Sequence, residues 1–389
     1  PVWNDAPWRG FAPLAGDTEA DVCVVGLGGS GLAAVRELLA RGQRVVGLDA
    51  GEVGGGAAGR NGGFLLAGVM RFHHDAVAAY GRVAARALYA RTLAEVERMA
   101  RETPAAVRRT GSLRIALSDA ERADCARQLE AMRADALPVE PYEGPEGVGL
   151  LFPHDCALQP LRRCRTLAER AAATGARLFE HTAALGFDDA ADGGVVVRTA
   201  SGAVRCRAAV VAVDGGLERL LPELAARVRT ARLQMLATAP TDEVRVPRPV
   251  YARWGYEYWQ QLEDGRLALG GFRDLGGDAE WTAEATPTAA VQAALERFLR
   301  EHLRVRAPVT HRWAASVAYT ADGLPVLDEV RPRVWAAGAY SGTGNVVGAL
   351  CGSALARLAC GDADAADEDA ALPALLAGAR AHAHTLTPG

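Results

Sequence analysis

Gly26, Gly28 and Gly31 stand at the spacing G-x-G-x-x-G, and Asp49 follows about two dozen residues later. Glycines at this spacing can cradle a diphosphate. Gly26 permits a tight turn. Gly28 and Gly29 let backbone approach the ligand, and Gly31 allows a helix to lie close on a strand. A helix starting at Gly29-Ser30-Gly31 would offer unpaired N–H groups and a partial positive charge to the anion. Asp49 can accept hydrogen bonds from ribose hydroxyls and would repel a 2′-phosphate, so NADP is not expected.

The elements that must position these residues are legible beside them. Asp21–Val25 is a short apolar run of the kind buried on both faces of a parallel sheet. Leu32, Val35, Leu38 and Leu39 recur at helical spacing up to the Arg41-Gly42 stop. Val45–Leu48 is a second buried strand, with Asp49 and Ala50 at its end. Strand, glycine turn, helix, strand and acid occur in the order of a dinucleotide fold.

A long run of small residues, Gly54-Gly55-Gly56-Ala57-Ala58-Gly59-Arg60-Asn61-Gly62-Gly63, comes next. A nicotinamide enzyme needs no such loop here. An FAD enzyme does, because the extended ribityl and flavin must run across backbone. The stretch resembles the D-amino-acid oxidase superfamily of flavoenzymes, the group of glycine, sarcosine and γ-glutamylputrescine oxidases, whose members carry a GASGRNGG-like loop at this point. Ala58 stands where serine is common, and Val35 where a smaller residue is usual. The resemblance implies that Gly59, Arg60, Asn61, Gly62 and Gly63 pass near the flavin, the glycines leaving room for it.

The resemblance extends over nearly the whole chain. Ala208–Val213 followed by Asp214-Gly215-Gly216 matches a returning strand of the cofactor domain, with Asp214 in place of the usual Thr, Asn or Met. The helix Leu161–Thr174 and strand Leu178–His181 match a unit that places the adenine near Thr182-Ala183. The block from His311 to Cys360 matches the closing signature. There Gly338 ends a strand, and Gly342-Thr343-Gly344-Asn345 opens an apolar helix running to Leu358. A helix N-terminus aimed at the flavin N1/C2=O edge would stabilise the reduced anion. The alternative is that these glycines only allow close helix packing.

The expected architecture is α/β: a Rossmann-like FAD domain of glutathione-reductase type, interleaved with an α+β substrate domain on an antiparallel sheet. Residues 1–82, 152–228 and 306–362 are assigned to the FAD domain. Residues 83–151 and 229–305 are assigned to the substrate domain that covers the flavin, and 363–389 to a tail with a short helix at Leu372–Ala381 and a disordered end. Within the substrate domain the sequence predicts a helix over Val83–Glu102, a strand over Gly111–Leu117, a helix over Asp119–Ala136 and a loop over Pro138–Pro153. Strands at Arg232–Ala237, Val250–Trp254, Tyr256–Leu262 and Leu267–Phe272 follow, then a helix over Thr288–Leu303.

Composition narrows the chemistry. The 389-residue chain carries a formal charge of −4, which gives no reason to expect nucleic acid. It has no apolar run long enough to span a bilayer and no basic-then-apolar leader. Seven scattered cysteines without metal spacing read as reduced thiols of a cytoplasmic protein. His73-His74 is the one adjacent histidine pair; neighbouring side chains diverge, so a capping or surface role is expected and no metal site. Trp3 and Trp8 are expected to pack across the surface. All 43 basic residues are arginine. Pyridoxal-phosphate and Schiff-base chemistry both need a lysine amine and are excluded.

The family's reaction is described as hydride transfer from the carbon beside an amine nitrogen to flavin N5, which demands orientation and a dry pocket. Candidates for orientation are Tyr251, Arg253, Tyr256, Tyr258, Trp259 and Arg273, with Arg273, Tyr258 and Tyr256 foremost. Strand alternation puts Tyr256 and Tyr258 on one face and Trp259 on the other. Arg273 would grip a substrate carboxylate in bidentate fashion; an ion pair with Asp274 or another acid is the alternative. The tyrosines can equally be core.

Two departures from the family bear on mechanism. Monomeric sarcosine oxidases tether FAD to a cysteine where this chain has Ala315-Ser316-Val317-Ala318, so non-covalent FAD is expected. Those enzymes also use a lysine to assist O2, and here the matching strand reads Leu267-Ala268-Leu269. Either another group assists O2 or the electrons go to a different acceptor, so the enzyme is an amine or amino-acid oxidase or dehydrogenase; slow reaction with O2 is the expectation carried forward. Two other functions fit the glycine motif: a flavin monooxygenase, or an FAD-binding subunit without its own catalysis. Gly361-Asp362-Ala363-Asp364 follows a helix where a hydroxylase motif would follow a strand, and no second G-x-G-x-x-G is present for a nicotinamide.

Overall fold

A computed structural model describes residues 1–361 and 371–386. They form two units. One comprises residues 1–5, 60–159 and 231–316, and the other residues 6–59, 160–230, 317–361 and 371–386. Residues 1–5, 60–82, 152–159 and 306–316, assigned by sequence to the cofactor domain, lie in the first unit, and residues 229–230, assigned to the substrate domain, lie in the second. The physical reason is the pairing of Phe64–Leu65 with Cys156–Leu158, which ties the end of the small-residue loop to that unit.

The second unit is built on a six-stranded sheet in the order Arg177–Phe179, Val45–Leu48, Val22–Val25, Ala208–Val211, Val334–Gly338, Val326–Arg331. The first five strands are parallel, and the last runs antiparallel to its neighbour. Val22–Val25 and Val45–Leu48 are buried at every position, as strands covered on both faces must be. Helices Gly29–Ala40 and Val347–Ala359 pack on the sheet and on each other. A four-stranded sheet carries the hairpin Val195–Thr199/Gly202–Cys206, and one apolar core joins its Val195, Val197 and Val204 to Val46, Leu48, Val211 and Val326.

The first unit is organised by an eight-stranded sheet. From Arg229–Thr238 across to Glu140–Gly144 neighbouring strands are antiparallel, except where Val250–Ala252 runs parallel to Ser112–Ile115. The Pro138–Pro153 stretch is a hairpin, Glu140–Gly144 with Gly147–Phe152, where the sequence predicted a loop. Its Pro and Gly content hides the strands; they exist because Ser112–Ile115 offers an edge to Gly149–Phe152. Trp3 is buried at 1% exposure where a surface position was expected. His73 is also buried, and its Nε2 lies 2.6 Å from Asp135 Oδ2. His74 turns to Asp124 at 3.1 Å. The two rings diverge as expected, toward separate acids.

Leu372–Leu386 is a helix, longer than the predicted Leu372–Ala381, and Arg380 Nε donates to Asp322 Oδ2 at 2.9 Å. The rest of the assigned tail lies outside the described residues. Among those described, all seven cysteines are free thiols, and no helix is long and apolar enough to cross a membrane.

Candidate cofactor and substrate sites

In the second unit Val22–Val25 ends at Gly26, whose φ of 95° only glycine adopts without strain. A Cβ there would also lie 2.6 Å from Ala212 O. A Cβ on Gly31 would overlap Gly26 O, so the third glycine is the point of closest helix–strand approach. The helix Gly29–Ala40 has Gly28 at its N-cap, no side chain capping its N–H groups and no acid in its first turn. The space beside Gly29 holds no protein atom within 4 Å of an added Cβ. An uncapped, acid-free helix end with open space beside it suits an anion.

Asp49 sits at the end of the neighbouring strand. Its Oδ2 accepts from Leu27 N–H at 2.7 Å and its Oδ1 from Gly51 N–H at 2.9 Å. Burial pushes its carboxyl above the usual range, against these two bonds. The carboxylate thus fixes the glycine turn, and its remaining lone pairs stay available to ribose hydroxyls. Ala50 and Ala183 are exposed nearby in the chain path, since Thr182 N–H donates to Asp49 O at 2.7 Å. Glu180 escaped the sequence reading. Its buried carboxylate accepts from Trp8 Nε1, Phe11 N–H and Val53 N–H at 2.6–2.8 Å, and so fastens the N-terminal lead-in and the loop after Asp49.

Gly59 packs on Gly54 and Leu161. The returning strand leads to Asp214-Gly215, and Asp214 accepts from Tyr340 N–H at 3.2 Å and Ala318 N–H at 3.3 Å. Burial raises Asp214 to about 6. A Cβ on Gly338 would lie 2.5 Å from Val213 O. Thr343 Oγ donates to Tyr340 O at 2.7 Å, Gly344 lies against the Tyr340 ring, and Gly342 faces open space. Gly342–Asn345 precedes the helix, which starts at Val347.

In the first unit, Arg60–Gly63 is fastened by its own neighbours. Trp313 Nε1 donates to Arg60 O, Trp3 Nε1 to Asn61 O, and Gln260 Nε2 to the carbonyls of Gly62 and Gly63, all at 2.6–2.8 Å. The Tyr258 ring fills the space a Gly62 Cβ would take. The small residues that the resemblance connected with flavin therefore also serve protein packing.

Sheet register lines up Met235, Gly270, Tyr258, Tyr251, Arg114 and Leu150 in one row. Tyr251 stacks between Phe72 and Phe152, at 6.3 and 6.4 Å between ring centroids. Arg114, missed by the sequence reading because it sits in the apolar run GSLRIAL, is 1% exposed. Its guanidinium carbon lies 3.6 Å from the Phe72 ring centroid, and it bonds Asp124 and Gln128. Trp259 faces the opposite core with Leu267 and Leu269. Tyr256 lies before the strand Glu257–Gln261 and is exposed. Arg273 opens the short helix Arg273–Gly276, its guanidinium carbon 4.9 Å from the Trp281 ring centroid and 6.0 Å from that of Tyr256. The cation paired with Asp274 is Arg253.

Glu257 shares the strand with Tyr258 but points to the other face, its side chain 0% exposed. Arg253 Nη1 lies 3.0 Å from Oε1, yet neither carboxylate oxygen accepts a hydrogen bond. Burial pushes the group to about 7, with Arg253 opposing. A folded pKa above the unfolded one means that stability falls as pH rises from about 4.5 to about 7, and the full cost persists above that. Glu257→Gln should therefore exceed wild type in stability at pH 8 by about 1–3 kcal/mol, and differ little at pH 5. Urea unfolding at the two pH values checks this; equal midpoints at pH 8 would contradict it.

Fold and glycine site together define an FAD-type dinucleotide-binding α/β protein with a second sheet-built unit. A family model described as FAD dependent oxidoreductase matches residues 21–358, and the chain belongs to that family. Its residues fit the cofactor: the open helix end suits the diphosphate, and Asp49 suits a ribose. The chain is 29% identical to a probable oxidoreductase OrdL of Rhizobium meliloti, over 97% of this chain and 93% of that protein. It is 27% identical to gamma-glutamylputrescine oxidoreductase of Escherichia coli, over 93% and 89%. Glycine oxidase from Geobacillus kaustophilus shares the fold with a TM-score of 0.73 and 22% identity, over 91% of this chain and 97% of that one. The protein is an FAD-dependent oxidoreductase.

Proposed function

We propose that this enzyme oxidises the carbon–nitrogen bond of an amino acid or secondary amine. FAD, when bound, supplies the two-electron acceptor for the hydride leaving the carbon next to nitrogen. The observation that carries the reading is the glycine turn fixed by Asp49 ahead of an uncapped helix, in a chain that matches the family model over residues 21–358. The names of the relatives, a gamma-glutamylputrescine oxidoreductase and glycine oxidases, support amines and amino acids as the substrate class.

Within this reading Gly26–Gly31, Asp49 with Ala50, Gly59, Ala183, Gly215, Gly338 and Gly342–Asn345 hold the cofactor, and Arg60–Gly63 contributes to its flavin end. Non-covalent attachment is supported by Ala315–Ala318, which offers no thiol, and by the burial of Cys23, Cys164, Cys206 and Cys351. Tyr258 and Tyr251 orient the substrate from one row of the sheet. Arg273, with its guanidinium over Trp281, takes a carboxylate by bidentate contact. The aromatic walls around Tyr251 exclude water, which strengthens every polar contact made inside.

The test is an anaerobic visible spectrum of the purified protein, titrated with D- and L-amino acids, sarcosine, proline and polyamines. Bleaching of the flavin band by one class is expected, and it names the substrate. No bleaching by any of them contradicts the reading. On re-admission of air the band should recover slowly, and an artificial acceptor should restore it fast, because the chain has no lysine to assist O2. Recovery in air at oxidase-like rates would rule out the slow-O2 reading.

A further inference from the structure

Ser30 is the second residue of the helix Gly29–Ala40, and its side chain is buried at 5% exposure. Its Oγ lies 2.7 Å from Tyr340 Oη, across 310 positions of sequence. Each hydroxyl carries one proton, and one hydrogen bond between them uses one of the two. Among the described residues neither hydroxyl has another hydrogen-bond partner. One buried proton is therefore left without a protein acceptor, at a helix end that has no cap and no acid.

The Tyr340 side of this pair is held on several sides. Its N–H donates to Asp214, its carbonyl accepts from Thr343 N–H and Oγ, and its ring lies against Gly344 and Gly348. Ser30 is held as tightly, since a Cβ on Gly352 would overlap Ser30 O. The ring fixes the position of Oη, whereas the Ser30 hydroxyl can still rotate its proton. The phenol is the more acidic donor, so the bond runs from Tyr340 to Ser30.

We infer that Tyr340 is a positioning residue for the cofactor's diphosphate: it donates to Ser30 Oγ and so directs the Ser30 proton at a phosphate oxygen beside the helix N-terminus. The inference rests on the FAD reading. It joins the two glycine-rich loops of this unit through one hydrogen bond. A hydroxyl proton given to a phosphate forms a charge-assisted bond, stronger than a neutral one.

The experiment measures equilibrium binding of FAD, ADP and adenosine to flavin-free wild type, Tyr340→Phe, Ser30→Ala and the double variant, with thermal melts of the ligand-free forms. Each single variant should bind FAD and ADP roughly tenfold to hundredfold more weakly. The double variant should lose no more than Ser30→Ala alone, because Tyr340 acts through Ser30. Adenosine, which has no diphosphate, should bind all four forms equally. Wild-type affinity for ADP in Tyr340→Phe, or losses that add in the double variant, would overturn the proposal. So would an equal loss for adenosine, the mark of a merely structural bond. Should Tyr340→Phe not fold, the comparison of ADP with adenosine in Ser30→Ala decides. Wild type binding ADP but not FAD, with ADP binding weakened in the variants, would overturn the FAD reading and leave this step standing. Wild type binding neither overturns both.

Discussion

Gly31→Ala is expected to strip the protein of FAD. The added methyl carbon would overlap Gly26 O, lie 2.9 Å from Gly26 C and press on Ala212 Cβ at 3.5 Å. The first obstacle is backbone at a residue whose left-handed φ already fixes the turn, so no side chain can move to relieve it. The helix start must shift, and with it the N–H groups that face the diphosphate. An affinity loss of about a hundredfold or more follows, equivalent to about 2.7 kcal/mol, read as flavin content after gel filtration and as Kd on titration. Gly29→Ala separates binding from folding. Its methyl meets no protein atom within 4 Å, so the ligand-free protein should melt as wild type does while FAD binding weakens. Retention of FAD by Gly31→Ala at wild-type affinity would show that this turn does not form the diphosphate site.

Glu280→Ala should cost about 3–5 kcal/mol of stability, the usual price of leaving one member of a buried ion pair alone. Glu280 is 1% exposed and takes both Arg232 Nε and Nη2 at 3.0 Å. Gln234 Nε2 adds a third bond at 2.9 Å. Burial pushes the Glu280 carboxyl up, but these donors outweigh it and leave the group below its ordinary range. Removing it strands the Arg232 guanidinium, 5% exposed, with the Ala279 carbonyl as its remaining partner from this set. Arg232 lies on the strand Arg229–Thr238, next to Leu267–Gly271, so the loss should spread through the sheet that carries Tyr258. Urea unfolding measures it, and a loss below about 1 kcal/mol would mean that water reaches Arg232 in the variant.

The cofactor half of the molecule was legible because its signals are local. A buried strand, a glycine turn, a helix and a second strand ending in Asp49 lie within thirty or so residues. Each is set by residue types that act on their own backbone: β-branched runs, left-handed glycine, and apolar helical spacing. The match to a family followed from those residues and from the later Asp214-Gly215 and Gly338–Asn345 motifs.

What sequence alone did not reach are the meetings of residues far apart in the chain. The hairpin Glu140–Phe152 is strand only because Ser112–Ile115 pairs with it. Trp3 is buried because it donates to Asn61 O. Arg253 reaches Asp274 where the chain turns left-handed at Arg253 and Trp254. Tyr340 reaches Ser30 only because two helices pack closely enough that Gly352 can have no side chain. The sequence by itself determined the class of cofactor, since phosphate recognition is a property of one strand–turn–helix stretch. The tertiary structure alone decided which hydroxyls, carboxylates and guanidinium groups become partners, because a hydrogen bond is fixed by a separation of about 3 Å in space, and no local pattern encodes that.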